Sequence, residues 1–235
     1  MSEIILVHGS CHGAWCWRDV IPELEALGHD VTAIDLPSHG DDTTPVETVT
    51  LDLYAEAIVK AIKGKAVLVG HSMGGYPITA AAELAPEKVE RLIYLCAYVP
   101  REGMGLADMR RAAPRQPLLE AVVVDEARIS FTVNPEMAVE KFYHDVAPET
   151  AAWAISNLCP QAILPQETAL ELRNSPSIAR NYIRCLYDGA IPTEFQFTMT
   201  EGWPDGTVVD MATSHSPFFS DPKGVAAHIH SFTKG

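Results

Sequence analysis

The run Val67-Leu68-Val69-Gly70-His71-Ser72-Met73-Gly74-Gly75 constrains this chain more than any other stretch. Three apolar β-formers lead into Gly-x-Ser-x-Gly, and a small-residue helical pattern continues from Tyr76 through Leu84. Strand, sharp turn and helix is the context in which that pentapeptide forms a nucleophile elbow. A serine at the apex sits in strained backbone, and bulky side chains at Gly70 and Gly74 would collide with the turn. The hydroxyl is pushed clear of the sheet, above a helix N-terminus that favours developing negative charge. Ser72 is the candidate nucleophile.

The segments before and after the elbow predict its scaffold. Ile4–Val7, Val31–Ile34, Val67–Val69 and Arg91–Cys96 are short apolar runs of the kind buried on both faces of a sheet. Between them lie helical patterns: one from Ala14 through Trp17, Val20, Ile21, Leu24 and Leu27, stopped by Gly28, and another over Leu51–Ile62. Regular alternation of strand and helix implies a parallel sheet with right-handed crossovers. The alternation breaks at Pro100. Up to about Ser177 the chain shows short helical patterns (Pro135–Phe142, Pro148–Leu158), many prolines, and Val122–Val124 as a short strand. Core patterns return with Asn181–Leu186, a helix after Ile191-Pro192 with Thr193 as its N-cap, Thr207–Met211, and a closing helix Pro222–Phe232. The expectation is an α/β fold with a mostly parallel sheet of about six strands flanked by helices. Residues 1–99 and 178–235 form its core, and 100–177 form an inserted helical cap.

A serine nucleophile needs a base, and the base needs an orienting acid. Active groups gather at the C-terminal ends of parallel strands. Asp188 ends the strand before last and His215 follows the last strand, in the chain order Ser…Asp…His. Asp35 also ends a strand and is the alternative orienter. His71 adjoins the serine and reads as packing, while His29 and His39 lie in loops, His144 in the cap, and His228 and His230 on the closing helix. The oxyanion donors are expected to be the N–H of Met73, after the nucleophile, and the N–H of Ser10, in the first-strand loop where Gly9 allows close approach. His8 and His12 have an i, i+4 spacing but no third ligand nearby, so no metal is expected. The five cysteines form no Cys-x-x-Cys and read as small apolar fillers; Cys11, near the loop, lacks an elbow or helix start to activate it.

Composition narrows the partners. Lys+Arg 17 against Asp+Glu 31 gives a formal net charge of −14, which disfavours nucleic acid and anionic membrane surfaces. No stretch has the length of a membrane span, and Met1-Ser2-Glu3 runs straight into the first strand without a basic or apolar leader. The chain reads as a complete cytoplasmic protein.

Four motifs in order carry a family likeness: His8-Gly-Ser-Cys-His-Gly-Ala-Trp15, Gly28-His-Asp-Val-Thr-Ala-Ile-Asp-Leu36, Gly70-His-Ser-Met-Gly-Gly75 and Asp188-Gly-Ala-Ile-Pro192, followed by Glu194-Phe-Gln196. With them the chain resembles the α/β-hydrolase branch of the plant methylesterases, including the salicylic-acid-binding esterase, and the plant hydroxynitrile lyases. The resemblance implies a Ser72–His215–Asp188 triad, Ser10 and Met73 as oxyanion donors, no cofactor, a small-molecule ester as substrate, and a homodimer as the assembly to test. The sequence departs from the family around the base, where Ser214-His215-Ser216 replaces Asp-His-Met or Asp-His-Lys. The lyases carry a threonine after the first-strand histidine and a lysine after the catalytic one; here those positions are Gly9 and Ser216. The expected activity is therefore cleavage of small carboxylic esters through an acyl-enzyme. Gly9, His12, Phe131, Phe142, Trp153 and Leu158 are the candidate substrate contacts. The alternatives are a ligand-binding receptor on the same fold, and a hydroxynitrile lyase, which Gly9 and Ser216 disfavour.

Overall fold

A computed structural model of the protein describes residues 1–234. Its strands and helices follow in the order β1 (Glu3–Val7), α1 (Ile21–Ala26), β2 (Asp30–Ile34), α2 (Leu51–Ala61), β3 (Ala66–His71), α3 (Gly75–Leu84) and β4 (Val89–Leu95). Then come α4 (Leu106–Ala112), β5 (Val122–Val124), β6 (Ser130–Val133), α5 (Pro135–Ala138), α6 (Pro148–Ser156), β7 (Gln161–Ala162) and α7 (Leu164–Glu167). The chain closes with β8 (Ala179–Cys185), α8 (Thr193–Met199), β9 (Val208–Met211), α9 (Pro217–Ser220) and α10 (Pro222–Phe232).

The main sheet has six parallel strands in the order β2-β1-β3-β4-β8-β9. Successive side chains of a strand face opposite ways, and here both faces are covered. Ile5, Val7 and Leu68 pack with Tyr54, Ile58, Ile78 and Phe195 on the side of α2, α3 and α8. Ile4, Leu6, Val67 and Val69 pack with Trp17, Leu24, Val225 and Ile229 on the side of α1 and α10. That two-sided burial is why these strands read as unbroken apolar runs. Thr50 caps α2 by accepting from the Leu53 N–H at 3.1 Å.

The helical pattern beginning at Ala14 is split in the structure: a 3₁₀ turn covers Ala14–Trp17, and α1 starts only at Ile21. Pro22 lies at its first turn, where a missing N–H costs nothing, and could not sit inside a longer helix. Pro192 rather than Thr193 occupies the N-cap of α8, and the Thr193 hydroxyl donates to the Leu186 carbonyl at 3.0 Å.

Between β4 and β8 the chain leaves the sheet and builds a separate layer. It has short helices and also a three-stranded antiparallel sheet, β5-β6-β7. Phe131, Phe142, Tyr143, Ala151 and Ala154 form its apolar interior and pack against Cys11 and Ala190 of the main body. Among the described residues no helix is long and apolar enough to cross a membrane.

Candidate active site

Ser72 follows directly on the last residue of β3 and adopts φ 54, the left-handed region that non-glycine residues rarely enter. The turn holds it there by crowding. A Cβ at Gly74 would lie 2.8 Å from the His8 carbonyl oxygen, and one at Gly9 would lie 2.8 Å from the Ser72 Cβ. Opposite the turn, the Tyr98 N–H donates to the Ser72 carbonyl at 3.1 Å.

From this apex a line of hydrogen bonds crosses three strand ends. His215 Nε2 lies 2.9 Å from Ser72 Oγ, and His215 Nδ1 lies 2.8 Å from Asp188 Oδ2. The carboxylate accepts at Nδ1–H, so Nε2 is left to accept the serine proton. All three residues are buried. Asp188 Oδ1 accepts from the N–H groups of Ala190 and Ile191 at 2.7 and 2.8 Å, and Oδ2 accepts from the Gln196 amide at 2.9 Å. The carboxylate is thus fixed in direction before it meets the imidazole. Phe142 stacks on the His215 ring with centroids 5.6 Å apart and planes 28° from parallel. The His215 carbonyl accepts from His71 Nε2–H at 2.8 Å, so His71 braces the His215 backbone. Burial pushes the His71 imidazole well below its ordinary pKa, and it stays neutral.

The first-strand loop is held by a relay of histidines. His8 Nε2 accepts from the Leu36 N–H at 3.1 Å, which leaves the proton on Nδ1, and that proton is donated to the Gly9 carbonyl at 2.8 Å. The His12 N–H reaches the same carbonyl at 3.3 Å. In a trans peptide the N–H points opposite to the C=O, so pinning Gly9 O aims the Ser10 N–H the other way. Among the described residues it meets no protein acceptor. The Met73 N–H lies in the first turn of the following helix, where no intrahelical acceptor exists. His12 Nδ1 donates to the Ser10 carbonyl at 2.8 Å and its Nε2 accepts from the Tyr143 hydroxyl at 2.7 Å. Burial lowers its pKa to about 4. The Ser10 hydroxyl accepts from the Gln166 amide at 2.9 Å.

The remaining candidates sort by their partners. Asp35 has no histidine; its carboxylate accepts from the N–H groups of Ala14 and Asp41 at 2.7 and 3.1 Å and so shapes a loop. His12 spends both ring nitrogens inside the protein, which makes it a brace of the loop. Phe142 lies against the His215 ring and Phe131 lines a hollow in the inserted layer. Trp153 packs edge-on against Trp15 with Arg18 over its face at 3.9 Å, and Leu158 is partly buried in the apolar interior of the layer. Neither joins Phe131 in lining that hollow, because packing between layers already occupies them. Burial raises the Cys11 thiol, the opposite of what a nucleophilic cysteine needs.

Ligand atoms of His71, Cys96 and His215 do lie within 4.8 Å of one another. Both His215 nitrogens are engaged, however, and His71 Nε2 and the Cys96 thiol both point to the His215 carbonyl, so the group does not suit a metal. Gln196, Gln166 and Tyr143 escaped the sequence reading as site residues, since neutral amides and a lone tyrosine carry no spacing signal.

The sequence profile of the alpha/beta hydrolase family matches residues 4–228. Methylesterase 1 of Arabidopsis thaliana is 33% identical, with 97% of this chain and 94% of that protein aligned. Salicylic acid-binding protein 2 of Nicotiana tabacum is 31% identical over 83% of this chain and 82% of its own length. The crystal structure of a pyrethroid hydrolase from Sphingobium faniae superimposes with a TM-score of 0.88 at 28% identity, covering 100% of this chain and 98% of that one. With a six-stranded parallel sheet, an elbow serine at the end of β3 and relatives along its whole length, the chain belongs to the α/β-hydrolase family, alongside the plant methylesterases.

Proposed function

We propose that this protein is a cofactor-independent serine esterase of small carboxylic esters, with Ser72 as nucleophile, His215 as base and acid, and Asp188 as orienter. The observation that carries the reading is the continuous line from Ser72 Oγ through the His215 imidazole to an Asp188 already saturated by backbone and amide donors. Ser72 Oγ attacks the ester carbonyl as its proton passes to His215 Nε2. The oxyanion is held by the N–H groups of Ser10 and Met73. Collapse breaks the bond to the alkoxide, which takes the proton from His215 and leaves as the alcohol. Water, deprotonated by the same imidazole, then releases the acid from the acyl-serine and restores Ser72. Residues 100–177 act as a cap over this centre, with Phe142 closing one side of the base. Ester hydrolysis by relatives named methylesterase and pyrethroid hydrolase is consistent with this chemistry.

Turnover of p-nitrophenyl acetate tests it. Ser72→Ala and His215→Ala should each lower kcat by several orders of magnitude, and the double variant should fall little further, because such residues act as a unit. Asp188→Asn should lower kcat by about 10³–10⁴. A folded Ser72→Ala protein with undiminished turnover would sink the proposal.

A further inference from the structure

A hollow of about 190 Å³ lies between α4, the β5–β6 hairpin and α7, walled by Phe131, Ile163 and other apolar side chains. Three charged residues reach it: Arg110, Arg128 and Glu167. Among the described residues neither arginine has a carboxylate within ion-pair distance. The Arg110 Nε–H is buried and meets no protein acceptor among the described residues. That is a costly arrangement to leave unfilled, since buried donors are nearly always partnered. It is also against the composition, in which Asp+Glu 31 outnumber Lys+Arg 17. Arg128 adds a second anomaly: it holds φ 57 in the turn of the hairpin, where glycine or asparagine would be the unstrained choice.

One contact ties this hollow to the centre around Ser72. Gln166 forms part of its wall and donates to the Ser10 hydroxyl of the first-strand loop at 2.9 Å. One side chain therefore separates the hollow from the first-strand loop.

We infer that this hollow is a specificity pocket of the same site, and that Arg110, aided by Arg128, selects esters carrying a carboxylate away from the scissile bond. The inference rests on the esterase reading of Ser72. A planar guanidinium pairs a carboxylate through two parallel hydrogen bonds, and the apolar walls suit the short carbon chain behind it. Half-esters of dicarboxylic acids have this design: an ester at one end, an anion at the other. The net charge of −14 repels anions at long range, so any preference for them must come from local cations.

The test compares the half-ester of glutaric acid and p-nitrophenol with p-nitrophenyl pentanoate, a neutral ester of the same chain length. The wild-type protein should show the higher kcat/KM for the half-ester. In Arg110→Gln the ratio of the two kcat/KM values should fall about tenfold or more, mainly through KM, as expected when binding common to ground and transition states is lost. Arg110→Lys should keep part of the preference, and Arg128→Gln, at an exposed position, should reduce it less. A wild-type preference for the neutral ester, or a ratio unmoved in both Arg110→Gln and Arg128→Gln while each ester is still hydrolysed, overturns the inference and leaves the esterase reading intact. Failure of the folded wild-type protein to hydrolyse either ester overturns both.

Discussion

Gln196 donates its side-chain amide to Asp188 Oδ2 at 2.9 Å. The same oxygen accepts from His215 Nδ1, and Gln196 Oε1 in turn accepts from the Cys185 N–H at 3.0 Å. Gln196 therefore ties the carboxylate to the end of β8 and acts as a positioning residue. In Gln196→Met, of similar volume, kcat should fall about tenfold, the effect of losing one hydrogen bond to a charged group, with KM little changed. The low-field proton resonance of His215 Nδ1 should broaden or vanish in the variant. A purely structural role would lower the melting temperature and leave that resonance in place.

The tautomer of His8 should matter to the rate although His8 does not contact the scissile bond. Its Nδ1–H fixes Gly9 O, and through the peptide plane it aims the Ser10 N–H. His8→Ala should lower kcat on the order of tenfold to a hundredfold, less than the roughly 10²–10³ of removing an oxyanion donor outright, and leave KM nearly unchanged. Affinity for a trifluoromethyl ketone analogue should fall in step with kcat, whereas affinity for the product acid should not. Parallel losses for both ligands would place His8 outside transition-state stabilisation.

Acid should destabilise the protein before carboxylates titrate. His12 is buried and takes up a proton only near pH 4 in the folded state, against 6.5 for the free side chain. Between those values the unfolded chain binds the proton and the folded one does not, so stability is full above pH 6.5 and falls as pH drops toward 4. The contribution of His12 is on the order of 3 kcal/mol. His8 and His71 shift in the same direction through burial and steepen the decline. Urea midpoints measured from pH 7 to 4 should show this slope, and His12→Gln should flatten it. A flat wild-type profile over that range would contradict the burial of neutral imidazoles.

The parallel sheet was legible because its central strands are buried on both faces and carry short apolar runs such as Ile4–Val7 and Val67–Val69 within strands of five to seven residues. Strand ends placed Ser72, Asp188 and His215 on one rim, and the contact of the three follows from that. The small sheet of the inserted layer was legible only at Val122–Val124. Its partner β6 is four residues long and β7 only two, too short for a period to emerge. Side chains that serve the site through neutral hydrogen bonds were silent as well: Gln196 and Gln166 look like any other amides until their partners are known. Trp153 is a large aromatic, which satisfies layer packing as well as it would a pocket: it packs edge-on with Trp15 and has Arg18 over its face.

The pairing of β4 with β8 spans a long excursion of chain, and it sets an order of events during synthesis. A ribosome delivers the elbow serine and the oxyanion loop first, then the whole inserted layer, and only afterwards Asp188 and His215. Until β8 and β9 dock beside β4, the Ser72 hydroxyl has neither the His215 imidazole nor the Asp188 carboxylate in line with it. The three side chains of the line can therefore meet only after the strands that follow the inserted layer have been made and docked.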